Sequence, residues 1–199
     1  IRAIVLTSNK PRHVYYARTI STYFDLVGLV SEQKKGYYVR QKEESQLVQK
    51  HFELLQEKES VYFPETEFPD CDSLFLSKEE INSTELVAWA VEKKPDVVFL
   101  FGTSILKDRW LDEFPDRIIN LHLGLSPFYR GSATMFWPYY QGKYECIGTT
   151  IHLAKHNVDA GEVLQQFKPE LRLSESYYDL VTRAVKESIQ FVPKIAIRY

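Results

Sequence analysis

Short apolar runs alternate with amphipathic stretches in the first part of this chain. Residues 1–7 form a β-branched apolar run that ends in the turn cluster Ser8-Asn9-Lys10-Pro11, and residues 12–24 carry apolar side chains at mixed helical spacing. Residues 26–30 are a second apolar run of strand length. This order predicts a strand, a helix that begins at Pro11, and a second strand. Such a β-α-β unit indicates an α/β fold with a mostly parallel sheet.

A charged segment interrupts this alternation. Residues 34–60 are rich in charge, and apolar side chains recur at helical spacing within residues 40–58. The pattern predicts one long amphipathic helix that is inserted between the strands, with a solvated outer face. Residues 61–64 and 74–76 then have the composition of short strands.

The second half of the chain returns to regular alternation. Asn82-Ser83-Thr84 is typical of a helix start, and residues 97–101 are the clearest buried strand in the chain. Further elements are predicted in order: a turn at 102–106, a short helix at 107–113, a strand at 117–122, a helix at 133–141, a hairpin of strands 147–153 and 162–167, and a final helix after Ser176 that runs toward Pro193.

Composition limits the class of protein. The chain has 199 residues and a formal net charge of −2, which fits one globular domain and gives no basic block for nucleic acid. Cys71 and Cys146 form neither a CxxC motif nor a disulfide framework, as expected in a reducing cytosol. No apolar run approaches the ~18 residues of a membrane span, and residues 1–7 do not resemble a signal peptide. A cytoplasmic location is therefore expected.

The candidate chemistry lies at the end of the strand over residues 117–122. Asn120 and His122 are two residues apart, so their side chains point to the same face of that strand. An amide that donates to an oxyanion beside an imidazole that moves a proton suits acyl transfer. Asp159 follows the next predicted strand and could orient the imidazole. In the alternative interpretation, Asn120 is a structural residue of the strand, His122 packs in the core, and Asp159 belongs to an ordinary turn.

The first β-α turn is a second candidate site. It lacks glycine, so it is neither a dinucleotide fingerprint nor a P-loop. Lys10, Arg12 and His13 near a helix N-terminus could hold a phosphate or a carboxylate. A solvated basic turn explains the same residues.

Several motifs together resemble a known family. Asn120-Leu-His122 is followed by Pro127, Arg130-Gly131, the run Gly148-Thr-Thr-Ile-His152 and Val158-Asp159-Ala-Gly161. This ordered set resembles the folate-dependent formyltransferases, which include the methionyl-tRNA, glycinamide ribonucleotide and sugar N-formyltransferases. The resemblance is strong over residues 82–164, general over 1–30 and absent over 34–60. It implies one Rossmann-like catalytic domain over residues 1–199, with a mostly parallel twisted sheet, flanking helices, and a C-terminal hairpin and helix.

The resemblance also implies donor and site residues. It implies 10-formyltetrahydrofolate as formyl donor, Asn120, His122 and Asp159 as the catalytic group, and no metal. His152 and His156 lack trustworthy metal spacing, and His152 is expected to pack or to face solvent. The folate-contacting residues that the resemblance implies are Thr103, Ser104, Ile105, Leu106, Lys155, His156, Asn157 and Val158.

The acceptor stays open at this point. An amino sugar, with or without a nucleotide, is the first hypothesis for the amine, because the Gly-rich Ser-Asn pattern of the glycinamide ribonucleotide enzymes and the second domain of the methionyl-tRNA enzymes are missing. The alternatives are glycinamide ribonucleotide as the acceptor, a methionyl-tRNA-type catalytic domain, and a non-catalytic folate- or nucleotide-binding protein. Whether the chain forms a homodimer is left open by the sequence. Trp137 is expected in the core. The expected acceptor-binding residues are Ser8, Asn9, Lys10, Arg12, Phe128, Tyr129, Arg130 and Gly131.

Overall fold

The computed structural model describes residues 1–34 and 46–199. That part of the chain forms one sheet of the strands β1 (Arg2–Ser8), β2 (Asp25–Glu32), β3 (Ser73–Leu76), β4 (Val97–Leu100), β5 (Ile118–His122), β6 (Thr149–Leu153) and β7 (Val163–Phe167). The order is β3-β2-β1-β4-β5-β6-β7. Strands β1 to β5 are parallel, and β6 and β7 form an antiparallel hairpin at the far edge. The predicted α/β fold is therefore confirmed.

Helices cover both faces of this sheet. They are α1 (Pro11–Ser21), α2 (Gln46–Tyr62), α3 (Thr84–Glu92), α4 (Asp108–Glu113), α5 (Phe136–Tyr140) and α6 (Tyr177–Arg198). Helices α1 and α6 bury one face around Tyr16, Phe99 and Ile189, and α2 packs on them. Helices α3 and α4 bury the other face around Trp110. Both faces of the central strands are thus covered, which is why their sequences are continuously apolar.

The helix starts follow their sequence signals. Pro11 is the first residue of α1. The Ser83 hydroxyl accepts a hydrogen bond from Leu86 N at the start of α3, and the Ser176 hydroxyl accepts one from Asp179 N at the start of α6. Each cap satisfies a backbone donor that the helix itself leaves unpaired.

The charged segment differs from its prediction in two respects. Helix α2 begins at Gln46, while the predicted start near residue 40 lies outside the described residues. The short strand predicted at residues 61–64 is wrong, because the helix continues to Tyr62. Contacts with α6 explain this extension: Lys186 Nζ donates to Tyr62 O at 2.7 Å, and Phe63 is buried directly after the helix. Tertiary packing here overrides a weak local preference for strand.

Two other helices also depart from expectation. Helix α5 covers only residues Phe136–Tyr140 of the predicted stretch 133–141, and Trp137, expected in the core, is exposed while Pro138 is buried. Helix α6 passes through Pro193 and ends at Arg198. Within the two described ranges of the chain, no helix combines the length and the apolar character needed to cross a membrane.

Candidate active site

The site lies where β5 ends and faces its antiparallel neighbour β6. In the register of this pair, Asn120 is opposite His152 and His122 is opposite Thr150. Directly opposed residues project from the same face of a sheet, so His152 joins the face that carries Asn120 and His122. His122 and His152 are buried, and Asn120 is half-buried.

Asp159 completes the cluster from the turn after β6. One carboxylate oxygen, Oδ2, lies 3.3 Å from His122 Nδ1, and the other, Oδ1, lies 3.5 Å from both His152 Nε2 and Asn120 Nδ2. Gly131 N donates a hydrogen bond to Oδ2 at 3.0 Å. The structure thus brings together the three residues of the predicted catalytic group, and it adds His152 to them.

Hydrogen bonds define the state of the His152 ring. His152 Nδ1 is 2.8 Å from Leu153 O, and a carbonyl oxygen can only accept, so Nδ1 carries the proton. In the neutral ring Nε2 is then an acceptor, and Asn120 Nδ2 donates to it at 3.0 Å. This bond fixes the direction of the Asn120 amide. The second N–H of Asn120 is weakly held, because Nδ2 lies 3.5 Å from Asp159 Oδ1, which is long for a hydrogen bond.

His122 is held at both ring nitrogens. Nε2 donates to Tyr129 O at 2.8 Å, and Nδ1 faces the Asp159 carboxylate. Both neighbours are acceptors, so a proton on either ring nitrogen has a hydrogen-bond partner. The ring is therefore held in one orientation beside the Asn120 amide.

The backbone of the Asp159 turn is arranged for this contact. Asp159 has φ +50°, a conformation that non-glycine residues rarely adopt and that clusters at functional sites. A Cβ atom at Gly161 would lie 1.8 Å from Leu153 O, so only glycine allows the turn to pack against β6. The sequence Asp159-Ala-Gly161 therefore places the carboxylate rather than merely reversing the chain.

The Asp159 carboxyl stays ionised throughout the neutral range. Burial alone would raise its pKa, but the contact with His152, the hydrogen bond from Gly131 N and the charge of His122 together outweigh burial. The net result is a pKa below the ordinary value of an aspartate. The cluster therefore combines a carboxylate, two imidazoles and an amide in one semi-buried place.

His152 is the site residue that the sequence prediction missed. It was expected to pack or to face solvent; it is buried, and in addition it is bonded to Asn120. The signal was the predicted hairpin beside the catalytic strand. Its register could not be fixed from sequence alone, because a slip of one residue would have turned His152 to the other face.

The turn after β4 is attached to the end of β2. Glu32 is buried, and its carboxylate accepts hydrogen bonds from Ser104 N at 2.6 Å and from Ser104 Oγ at 2.9 Å. Lys34 Nζ donates to Gly102 O at 2.7 Å. Gly102 has φ +76° and leaves no room for a Cβ atom, which would lie 2.2 Å from the His13 ring. The predicted folate-contacting stretch 103–106 is therefore held in place by Glu32 and Lys34.

The second predicted folate-contacting stretch lies beside the same turn. His156 Nδ1 is 2.9 Å from Asp108 Oδ1 at the start of α4, and Lys155 pairs with Asp116. Asn157 is exposed, and Ile105 and Val158 are large apolar side chains left exposed. The two stretches thus border one surface on the α4 side of the sheet.

The basic residues of the first β-α turn influence one another. Burial, and next the charge of Arg12, lowers the pKa of Lys10. Burial also lowers the pKa of Lys34, where Glu32 acts against the shift and Arg12 adds to it. Like charges held this close favour an added anion, because the anion relieves their repulsion. Arg12 also forms an ion pair with Glu59 of α2.

Other predicted acceptor-binding residues serve the scaffold. Ser8 is fully buried and its hydroxyl donates to Glu32 O at 3.0 Å, while Asn9 Nδ2 donates to Lys34 O at 3.2 Å. Both side chains therefore join β1 to the end of β2. His13 is also buried, and burial lowers its pKa well below the ordinary value, so it is neutral.

The loop after β5 contributes mainly through its backbone. Tyr129 O accepts from His122, and Gly131 N donates to Asp159. The side chains of Phe128 and Arg130 are exposed. The loop that was expected to bind the acceptor therefore also holds the catalytic cluster in place.

Comparison with known proteins decides the family. A family model described as formyl transferase matches residues 2–195. The chain belongs to the formyl transferase family. It is an enzyme of folate-dependent formyl transfer, which confirms the prediction made from its motifs.

Solved structures of similar fold cover nearly the whole chain. Phosphoribosylglycinamide formyltransferase from Anaplasma phagocytophilum is 19% identical with a TM-score of 0.69, over 97% of this chain and 83% of that one. The enzyme of that name from Streptococcus pneumoniae TIGR4 is 18% identical with a TM-score of 0.68, over 100% and 98%. A formyltetrahydrofolate deformylase from Pseudomonas syringae is 16% identical with a TM-score of 0.68, over 99% and 60%. Because the sequence identities are only 16–19%, these structural similarities establish the fold alone.

In this formyltransferase, the described residues contain no group of three or more His, Cys, Asp or Glu side chains that could hold a metal ion. The two cysteines are free thiols at separate places, both half-buried.

Replacement of Glu32 tests the attachment of the 103–106 turn. We expect Glu32→Gln to lower the free energy of unfolding by about 1.5–3 kcal/mol, because a hydrogen-bonded buried carboxylate is lost. KM for the folate donor should rise, while KM for the amine should not. Chemical denaturation and steady-state kinetics measure these effects. Ser104→Ala, which removes only the hydrogen bond of Ser104 Oγ to Glu32, is the matched control and should show a smaller change. If the parent and Glu32→Gln had the same KM for the folate donor, the 103–106 turn would not take part in folate binding.

Proposed function

We propose that this formyltransferase moves the formyl group of 10-formyltetrahydrofolate to the primary amine of a small anionic molecule, with a phosphorylated or nucleotide-linked amino sugar as the first candidate. The observation that carries the proposal is the contact of Asn120, His122 and Asp159 in one cluster. The basic residues Lys10 and Lys34 beside the same sheet edge support an anionic acceptor.

The cluster suits the chemistry of formyl transfer. The amine nitrogen attacks the formyl carbon, a new C–N bond forms, and the carbonyl electron pair moves to the oxygen. The weakly held N–H of Asn120 is placed to stabilise that oxyanion, with the His122 ring beside it. A water held by Asp159, or the unprotonated form of His122, takes the proton of the attacking amine and returns it to the leaving nitrogen. The products are a formamide and tetrahydrofolate.

The donor is expected to lie against the two stretches on the α4 side. Their exposed apolar side chains, Ile105 and Val158, suit the flat face of a pterin, and the backbone of Thr103 and Ser104 offers polar groups for its edge. The acceptor then approaches from the side of the first β-α turn. The formyl carbon would lie between the two, beside Asn120.

Glycinamide ribonucleotide is a second candidate acceptor. Solved structures with this fold are named for that substrate, and the chain covers 98% of the one from Streptococcus pneumoniae. Its phosphate would also suit Lys10 and Lys34. A methionyl-tRNA-type acceptor has less support, because the chain's net charge of −2 includes no basic block.

An acceptor screen tests the proposal. Purified protein with 10-formyltetrahydrofolate is mixed with glycinamide ribonucleotide, with free and phosphorylated amino sugars, and with nucleotide-linked amino sugars, and tetrahydrofolate release is followed. We expect release that depends on one class of amine and saturates with its concentration. Release at the same rate without any amine would indicate hydrolysis of the donor and would contradict the proposed transfer.

A further inference from the structure

An aromatic cavity lies between α2, α5 and the start of α6, outside the catalytic cluster. Its volume is about 380 Å³, and it is lined by His51, Phe136, Tyr139, Tyr140, Tyr177 and Tyr178. This volume is large enough for one flat heterocycle with an attached sugar. Every lining residue carries a ring, so the cavity offers faces for stacking.

The rings of this cavity form one connected group around His51. The His51 ring centroid is 5.7 Å from that of Phe136, 5.9 Å from that of Tyr177 and 5.4 Å from that of Tyr178. Burial lowers the pKa of His51, so the imidazole is neutral at pH 7. The neighbouring Asp179 is paired with Lys58 at 2.9 Å. The lining therefore bears no net charge and favours a neutral ring over an ion.

Polar groups are also present at the edge of the cavity. His51 Nδ1 lies 3.2 Å from Tyr178 Oη. Among residues 1–34 and 46–199, the hydroxyls of Tyr139, Tyr140 and Tyr177 make no hydrogen bond to another side chain or to the backbone. Phenol and imidazole groups both donate and accept, which matches the mixed donor and acceptor edge of a nucleobase.

The cavity lies on the face of the sheet opposite to the proposed folate surface. Helices α2 and α6 pack on the sheet face opposite to α4, which borders the proposed folate surface. Glu59 lies roughly two turns, or ~12 Å, beyond His51 on α2, and it pairs with Arg12. The cavity and the basic turn are therefore joined by one helix. Helix α5 follows the loop whose Tyr129 O holds His122.

We propose that this cavity binds the nucleobase of a nucleotide-linked acceptor, whose phosphates extend toward Lys10 and Arg12 and whose amino sugar reaches Asn120. The inference rests on the proposed function for the amine transfer, but the cavity itself can be tested without it. Base stacking on aromatic side chains tolerates different bases, so the edge contacts decide which base is preferred.

Calorimetric titration of the full chain with UDP, TDP, ADP, GDP and inorganic pyrophosphate tests the cavity, with neither folate nor amine present. We expect at least one nucleoside diphosphate to bind roughly tenfold or more tightly than pyrophosphate. Tyr140→Ala should reduce that affinity roughly tenfold and leave pyrophosphate binding unchanged. Tyr140 is 74% exposed, so its replacement should not disturb folding. His51→Ala, from a different helix, should have the same effect.

Tyr23→Ala is the matched control, since Tyr23 is 48% exposed, lies between α1 and β2, and does not line the cavity. It should bind every probe as the parent does. Equal affinity for pyrophosphate and all four nucleotides, or unchanged nucleotide binding by both Tyr140→Ala and His51→Ala, would overturn the base site. Because no formyl donor is present, that result would leave the transfer reaction itself to be judged by the acceptor screen.

Discussion

Asn120→Ala enzyme should fold as the parent does and lose roughly 10²–10³ in kcat, equivalent to ~2.7–4 kcal/mol of transition-state stabilisation. Asn120 supplies the one side-chain amide in the cluster, and its Nδ2 is directed by His152 at 3.0 Å. An alanine retains the strand but has no donor for the oxyanion. KM for the amine should change little, since the lost bond forms only in the transition state.

Steady-state kinetics with a saturating folate donor measure this loss. Gln165→Ala is the control, because Gln165 has the same kind of amide in an exposed position on β7. It should retain the parent kcat. A loss confined to KM in the Asn120→Ala enzyme would show that the amide binds substrate and does not stabilise the oxyanion.

Asp159→Asn should lower kcat by about 10³, within the range that general acid–base groups contribute. The substitution keeps the size of the side chain and an oxygen for Gly131 N, but it removes the charge that faces His122 at 3.3 Å. The His122 ring then loses the carboxylate that holds it, and a water beside it loses its base. His152→Ala should cause a smaller fall in kcat, because it frees the Asn120 amide without removing the carboxylate.

The pH dependence of the free energy of unfolding in the acid range provides a second test of the role of Asp159. Its pKa is lower in the folded than in the unfolded chain. The carboxylate therefore contributes stability above the unfolded pKa of about 3.9, and that contribution disappears as pH falls through the lower folded value. Asp159→Asn should abolish this part of the pH dependence, measured by denaturation between neutral pH and the acid range. An unchanged pH dependence in the acid range would mean that the carboxyl has no stabilising partner in the cluster.

The chain's apolar runs were sufficient to predict the sheet and most helices. Residues 3–6 and 97–101 are continuously apolar because they belong to β1 and to the β4 region, which are covered on both faces. The helix starts at Ser83 and Ser176 could be predicted from the sequence because a cap joins residues that are only three positions apart. These features depend on neighbours in sequence.

The features that sequence missed depend on neighbours in space. The extension of α2 to Tyr62 follows from its contact with Lys186 of α6. His152 enters the site through the register of β6 against β5, and Glu32 supports the 103–106 turn from another strand. Asn120, His122 and Asp159 were recognised because their motifs occur in a fixed order, although their contacts became visible only in the folded chain.

A carbon-13 label in the formyl group tests the central claim most directly. The protein is supplied with labelled 10-formyltetrahydrofolate and the amine selected by the acceptor screen, and the products are followed by NMR. The label should appear as a formamide on the acceptor nitrogen, in amounts equal to the tetrahydrofolate released, and the rate should fall by roughly 10²–10³ with Asn120→Ala. Label that appears as free formate, at a rate independent of the amine, would contradict formyl transfer at this site.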